Sequence, residues 1–136
     1  MDGRASGCLN LPEINGKWFK GSHGNFRNIP KQVAEKLNGQ IFQIFDNFRG
    51  AFWMEVAADS RLASQFSLGN IRRMEKGMAP IAHVSQHLGK QSPYVLHHRQ
   101  PIQHGGVVYD MSNIVVVTPR LHKEILDGAY HYGNGR

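Results

Sequence analysis

The feature that most constrains the fold is one stretch, Tyr94 to Leu126: YVLHHRQPIQHGGVVYDMSNIVVVTPRLHKEIL. Tyr94–Arg99 alternates in character and predicts a strand, and Gly105-Gly106 predicts a turn. Ile114–Thr118 is a β-branched run and predicts a buried second strand. Thr118 followed by Pro119 is a helix start, with a hydroxyl to cap the helix and a proline where its missing N–H costs little. Gly128 then ends that helix. The stretch is therefore a ββα unit, and it carries His97 and His98 on its first strand toward His122 on its helix.

The rest of the chain reads as mainly helical. Asn28 is a candidate N-cap for a helix through KQVAEKL to Asn38-Gly39, with Ile29 and Pro30 in its first turn. A second helix is expected from Asp46. In FDNFRGAFWMEVAAD, Phe45, Phe48, Phe52 and Val56 recur at helical spacing and mark a core stripe, with Trp53 flanking it. SRLASQF allows one or two further turns. Asn70 is a candidate cap for IRRMEKG, stopped by Gly77. Trp18 and Phe19 are expected to pack onto the body. The fold class is thus α+β, a mainly helical domain carrying a C-terminal ββα motif. Residues 1–15 read as a flexible leader or linker and 16–136 as a single domain.

Composition bounds the function. One cysteine, Cys8, excludes an internal disulfide framework and a cysteine zinc site. No run is long and apolar enough for a membrane-spanning segment, and the start lacks the apolar core of a signal peptide. Lys and Arg outnumber Asp and Glu by 16 to 10, which suits polyanionic partners, nucleic acid among them, or an ordinary basic domain. Arg72, Arg73 and Lys76 are more simply a solvated basic face than a phosphate site.

The chemistry concentrates in the histidines. Adjacent strand residues face opposite sides, so His97 and His98 have different tasks: one binds a metal or a phosphate while the other acts as a base. Asn113 precedes the second strand, where its amide can tie the intervening loop back. His122 lies near a helix N-terminus, a region that attracts anions. His23, His83 and His87 read as ordinary surface or packed residues, and His104, beside Gly105, as a turn residue.

The pieces IPKQVAEKL, FDNFRGAFWMEVAAD, KGMAP, LHH, PI, GG, VYDMSNI and VTPRLH fall in the order and spacing of a known family. The chain resembles the HNH (His-Me finger) nuclease domain of the colicin and pyocin bacteriocins from about Gly16 to Gly128. The resemblance implies an endonuclease that cleaves DNA as an antibacterial toxin module. His98 would be the general base, His97 and His122 would be metal ligands that meet the scissile phosphate through the ion, and Asn113 would support the loop. Arg99 and Arg120 are candidate substrate-binding cations. The implied cofactor is one divalent metal, zinc, magnesium or nickel, with catalysis by no metal at all as the alternative. The implied partner is a small acidic immunity protein, docking on about Leu68 to Lys90 with Ile81 where the family usually has an aromatic anchor. The implied place of action is the target-cell cytoplasm, after release or delivery from the producer.

Three departures bear on the metal. The family's third ligand position is Leu126, and its Arg and Glu before the histidine pair are Gln91 and Val95. His131 is the nearest substitute ligand. The losses leave three readings open: a DNase with a remodelled metal site; a metal-independent RNase of the tRNA-cleaving kind, in which the RNA 2′-OH is the nucleophile; and an inactive nuclease fold that binds nucleic acid or an immunity protein.

Overall fold

The computed structural model describes residues 3–19, 26–100 and 108–128. The expected turn at Gly105-Gly106 and the readings of His23, His104 and His131 fall outside the described residues.

The central element is a three-stranded antiparallel sheet in the order β2 (Arg27–Asn28), β5 (Ile114–Val117), β4 (Val95–His98). Its register pairs Leu96 with Val116 and His98 with Ile114, and, one residue out of phase, Val95 with Val117 and His97 with Val115. Directly opposed residues of an antiparallel pair share a face. Leu96, Ile114 and Val116 therefore point into the main core, while Val115 and Val117 point into a smaller apolar cluster with Leu121, Phe26, Val95 and Ile125. Because β5 is covered on both sides, all four of its side chains are buried, as its unbroken β-branched run predicts.

The main core is helical and aromatic. Helix α2 (Phe45–Ala58) sends in Phe48, Phe52 and Val56 of the expected stripe, with Phe45 half-buried at its edge. Trp53, expected to flank it, is fully buried as well, because α3 (Ser60–Ala63), α4 (Leu68–Glu75) and the Trp18-Phe19 segment close over that side. Each such side chain contributes roughly 1.5–3 kcal/mol by leaving water. Helix α5 (Pro119–Leu126) lies on the opposite face of the sheet. Its start is as expected: Thr118 Oγ1 accepts from the Leu121 amide at 3.1 Å, with Pro119 in the first turn.

Three expectations are corrected. Helix α1 (Lys31–Leu37) is preceded by an extended Pro30, not capped by Asn28. Asn28 belongs to β2, where it pairs with Val115 and its carbonyl accepts the Trp18 indole N–H. Helix α4 begins earlier than expected, capped by the Ser67 hydroxyl, which accepts from the Asn70 amide. Finally, residues 3–15 are no loose leader. β1 (Gly3–Arg4) pairs with β3 (Ile41–Phe42), and Ala5 and Leu11 are buried.

Candidate active site

His97 and His98 part company at β4. His97 faces α5, where its ring centroid lies 5.0 Å from that of His122. His98 faces the main core side, 5.1 Å from the Phe45 ring. The ββα unit thus brings His97, and not His98, against His122.

The His98 ring is oriented by the backbone. Its Nε2 lies 2.8 Å from the Val108 carbonyl oxygen. A carbonyl only accepts, so Nε2 carries the proton and Nδ1 of the neutral ring keeps its lone pair. One nitrogen is anchored, and the lone pair of the other can act as a base.

Asn113 ends a short 3-10 turn, Met111–Asn113. Its side chain brackets Gln100: Oδ1 accepts from the Gln100 amide at 2.9 Å and Nδ2 donates to the Gln100 carbonyl at 3.0 Å. The Asn113 carbonyl accepts from the Arg99 amide at 2.8 Å. These bonds continue the β4–β5 ladder past His98 and fix where β4 leaves the sheet.

His97 and His122 form the other half. Burial pushes His97 well below the usual histidine range, to about 4, with further lowering from the neighbouring His122 and His98. Burial lowers His122 as well. Both rings are therefore neutral at pH 7, the state a metal ligand needs. Val95 shares their side of β4 and packs in the small apolar cluster with Ile125, which explains the dryness. Leu126 is 67% exposed, and among the described residues no group of three His, Cys, Asp or Glu side chains converges to hold an ion. Gln91 sits in an exposed turn, bridged to Leu88.

The candidate cations flank this centre. The Arg99 guanidinium lies 5.6 Å from the Phe26 ring centroid. Arg120, exposed in the first turn of α5, donates weakly to the Ser85 carbonyl at 3.5 Å and lies 4.0 Å from Glu124. His83 and His87 make local contacts to Ser85 and the Ala82 carbonyl.

Ile81 stands apart from the histidines. The Asn70 side chain brackets its backbone, accepting from its N–H at 2.8 Å and donating to its carbonyl at 3.2 Å. Ile81 borders a cleft of about 720 Å³ with Phe19, Phe66 and Tyr94. Exposed Leu68, Met78 and Val84 lie in the surrounding segment.

Two elements of the site escape a residue-by-residue reading of the sequence. The Val108 carbonyl is backbone and leaves no side-chain signal. Asp110 is legible in retrospect: its carboxylate accepts from the Ser112 amide at 3.0 Å and the Ser112 hydroxyl at 2.6 Å, a turn that Asp followed two residues later by Ser favours.

The profile of the Colicin/Pyocin-S2 DNase domain family matches residues 3–127. Colicin E7 of Escherichia coli is 41% identical over 116 residues, covering 85% of this chain and 20% of its own length. Pyocin S2 of Pseudomonas aeruginosa is 40% identical, with 85% and 17% covered. The chain thus spans a fifth or less of these curated relatives. The crystal structure of the pyocin AP41 DNase–immunity complex superposes with a TM-score of 0.87 at 35% identity, covering 94% of this chain and 99% of that one. The mutant nuclease domain of pyocin S8, solved with its cognate immunity protein, gives 0.83 at 35% identity, with 90% and 98% covered.

Proposed function

The chain belongs to the colicin/pyocin DNase domain family, and from that premise we propose that it is the DNA-cleaving endonuclease module of an antibacterial toxin. The observation that carries the mechanism is the anchoring of His98 Nε2 on the Val108 carbonyl. DNA has no 2′-hydroxyl, so its cleavage needs an activated water. His98 takes the water's proton at Nδ1, while the carbonyl holds the ring in place through Nε2. Asn113, through Gln100, keeps the end of β4 and hence the His98 ring in place. Arg99 and Arg120 supply positive charge for the phosphate backbone.

His97 and His122 fit a divalent ion as two of its ligands, since both offer neutral imidazole nitrogens on one side of the sheet. Bound there, zinc, nickel or magnesium would polarise the scissile phosphate. Two imidazoles are fewer than a catalytic site ordinarily provides, so phosphate and water would have to complete the set. The metal-independent RNase reading is not favoured, because the relatives are DNase domains.

A small acidic immunity protein is the proposed partner. The structural neighbours were solved as complexes with immunity proteins, and the net charge of +6 favours fast encounter with an acidic surface. Its docking face is Leu68 to Lys90, with Ile81 held forward by Asn70. The site of action is the target-cell cytoplasm.

The test is cleavage of plasmid DNA and of tRNA, each with EDTA and with added zinc, nickel or magnesium. Metal-dependent nicking of the plasmid is expected, abolished by His98→Ala. RNA cleavage that survives EDTA, or full activity of His98→Ala, would overturn the reading.

A further inference from the structure

The segment Val108–Asn113 carries both contacts that place the base half of the site: the Val108 carbonyl on His98 and the Asn113 side chain on Gln100. Its other edge is held by the beginning of the chain. The Ser6 amide donates to the Tyr109 carbonyl at 3.0 Å, the Met111 amide donates to the Ser6 carbonyl at 2.9 Å, and Ser6 forms a parallel bridge with Asp110. Ala5 in turn is tied to the α1–β3 turn, donating to the Gln40 carbonyl and accepting from the Gly39 amide, both at 2.8 Å.

Two glycines bring this segment close. Gly7 has φ +83°, and a methyl there would overlap the Asp110 carboxylate oxygen and press on the Ser112 and Met111 amides at 3.1 and 3.2 Å. That carboxylate caps the turn ending in Asn113. At Gly3, an added Cβ would meet the Tyr109 ring at 2.8 Å. Tyr109 stacks on Phe45 at 6.1 Å, and Phe45 packs on His98. One short segment therefore backs both routes to the base half, and none of these contacts reaches His97 or His122.

We propose that Gly3–Gly7 is a positioning strap for the nuclease site, with Gly7 and Asp110 as its positioning residues. The inference rests on the reading of His98 as base and Asn113 as support.

Gly7→Ala is expected to lower kcat on plasmid DNA roughly 10–100-fold with KM changed by less than about twofold, the signature of a misplaced reacting group. In NMR spectra the His98 ring and Asn113 amide signals should move while the His97 and His122 ring signals stay. Asp110→Ala should act alike, and Asp110→Asn, which keeps an acceptor oxygen for Ser112, should restore most of kcat; this pair decides the matter if Gly7→Ala fails to fold. Unchanged kcat in both Gly7→Ala and Asp110→Ala would overturn the strap. So would equal movement of all three histidine signals, which marks general loosening. An active His98→Ala variant would instead overturn the assignment of the base, and the NMR comparison would still judge the strap.

Discussion

The side chain of Asn113 brackets the backbone of Gln100, accepting from its N–H and donating to its carbonyl. An amide is the one side-chain group of this size that can do both at once. Asn113→Ala should therefore reduce DNA cleavage strongly and leave a folded domain, since the lost bonds are at an exposed edge and each is worth about 0.5–1.5 kcal/mol. Asn113→Asp should be no better, because its carboxylate would face the Gln100 carbonyl. Plasmid nicking rates with circular dichroism as a folding control check this; full activity of the aspartate variant would contradict it.

Leu126 lies one helical turn beyond His122, and residues four apart on a helix share a face. Leu126→His should add a third imidazole to the His97–His122 pair and tighten zinc binding at least roughly tenfold. The exposure of Leu126 keeps the stability change within about 0.5 kcal/mol. Calorimetric titration with zinc and a thermal melt would measure both; unchanged affinity would place the pair outside the metal site.

The half-buried, neutral His97 and His122 give the fold a defined pH response. The folded state holds His97 unprotonated down to about pH 4, whereas in the unfolded chain a histidine protonates near 6.5. Between those values the unfolded state binds more protons, so stability falls as pH drops from about 6.5 to 4. His122, lowered by burial, contributes with the same sign. Urea midpoints across this window should decline more steeply in the parent chain than in His97→Asn. Parallel curves would show that His97 carries no part of the response.

Asn70 spends both ends of its amide on Ile81. Asn70→Ala should release that loop and weaken binding of the cognate acidic partner, with DNA cleavage unchanged, because the contacts that hold His97, His98 and His122 do not run through it. Surface binding kinetics beside a nicking assay separate the two. A parallel loss of both would mean that the partner face and the histidine site are one surface.

The ββα unit was legible because each of its signals is local: a β-branched strand, a Thr-Pro helix start, an alternating strand. That His97 and His98 face opposite sides of β4 followed from strand periodicity, and the register of β4 on β5 bears that out. What escaped was carried by backbone or by distant chain. Nothing in Val108 marks its carbonyl as the anchor of His98. The glycine-rich start resembles a linker in composition, and it is long-range pairing, with β3 and with Tyr109–Met111, that makes it part of the body. Asn28 and Asn70 both have cap chemistry, but Asn28 lies in a strand paired with Val115 and the Asn70 amide is used on the Ile81 backbone.

The sheet divides the apolar interior into a large cluster behind His98 and a small one beneath His97 and His122. The two halves of the site accordingly rest on separate foundations. Val95 packs within the small cluster, on the side of the sheet away from Phe45, Tyr109 and the His98 ring. On the proposed roles, a single substitution on the His97 side would alter the ion-binding donors and leave the packing around the proposed base as it is.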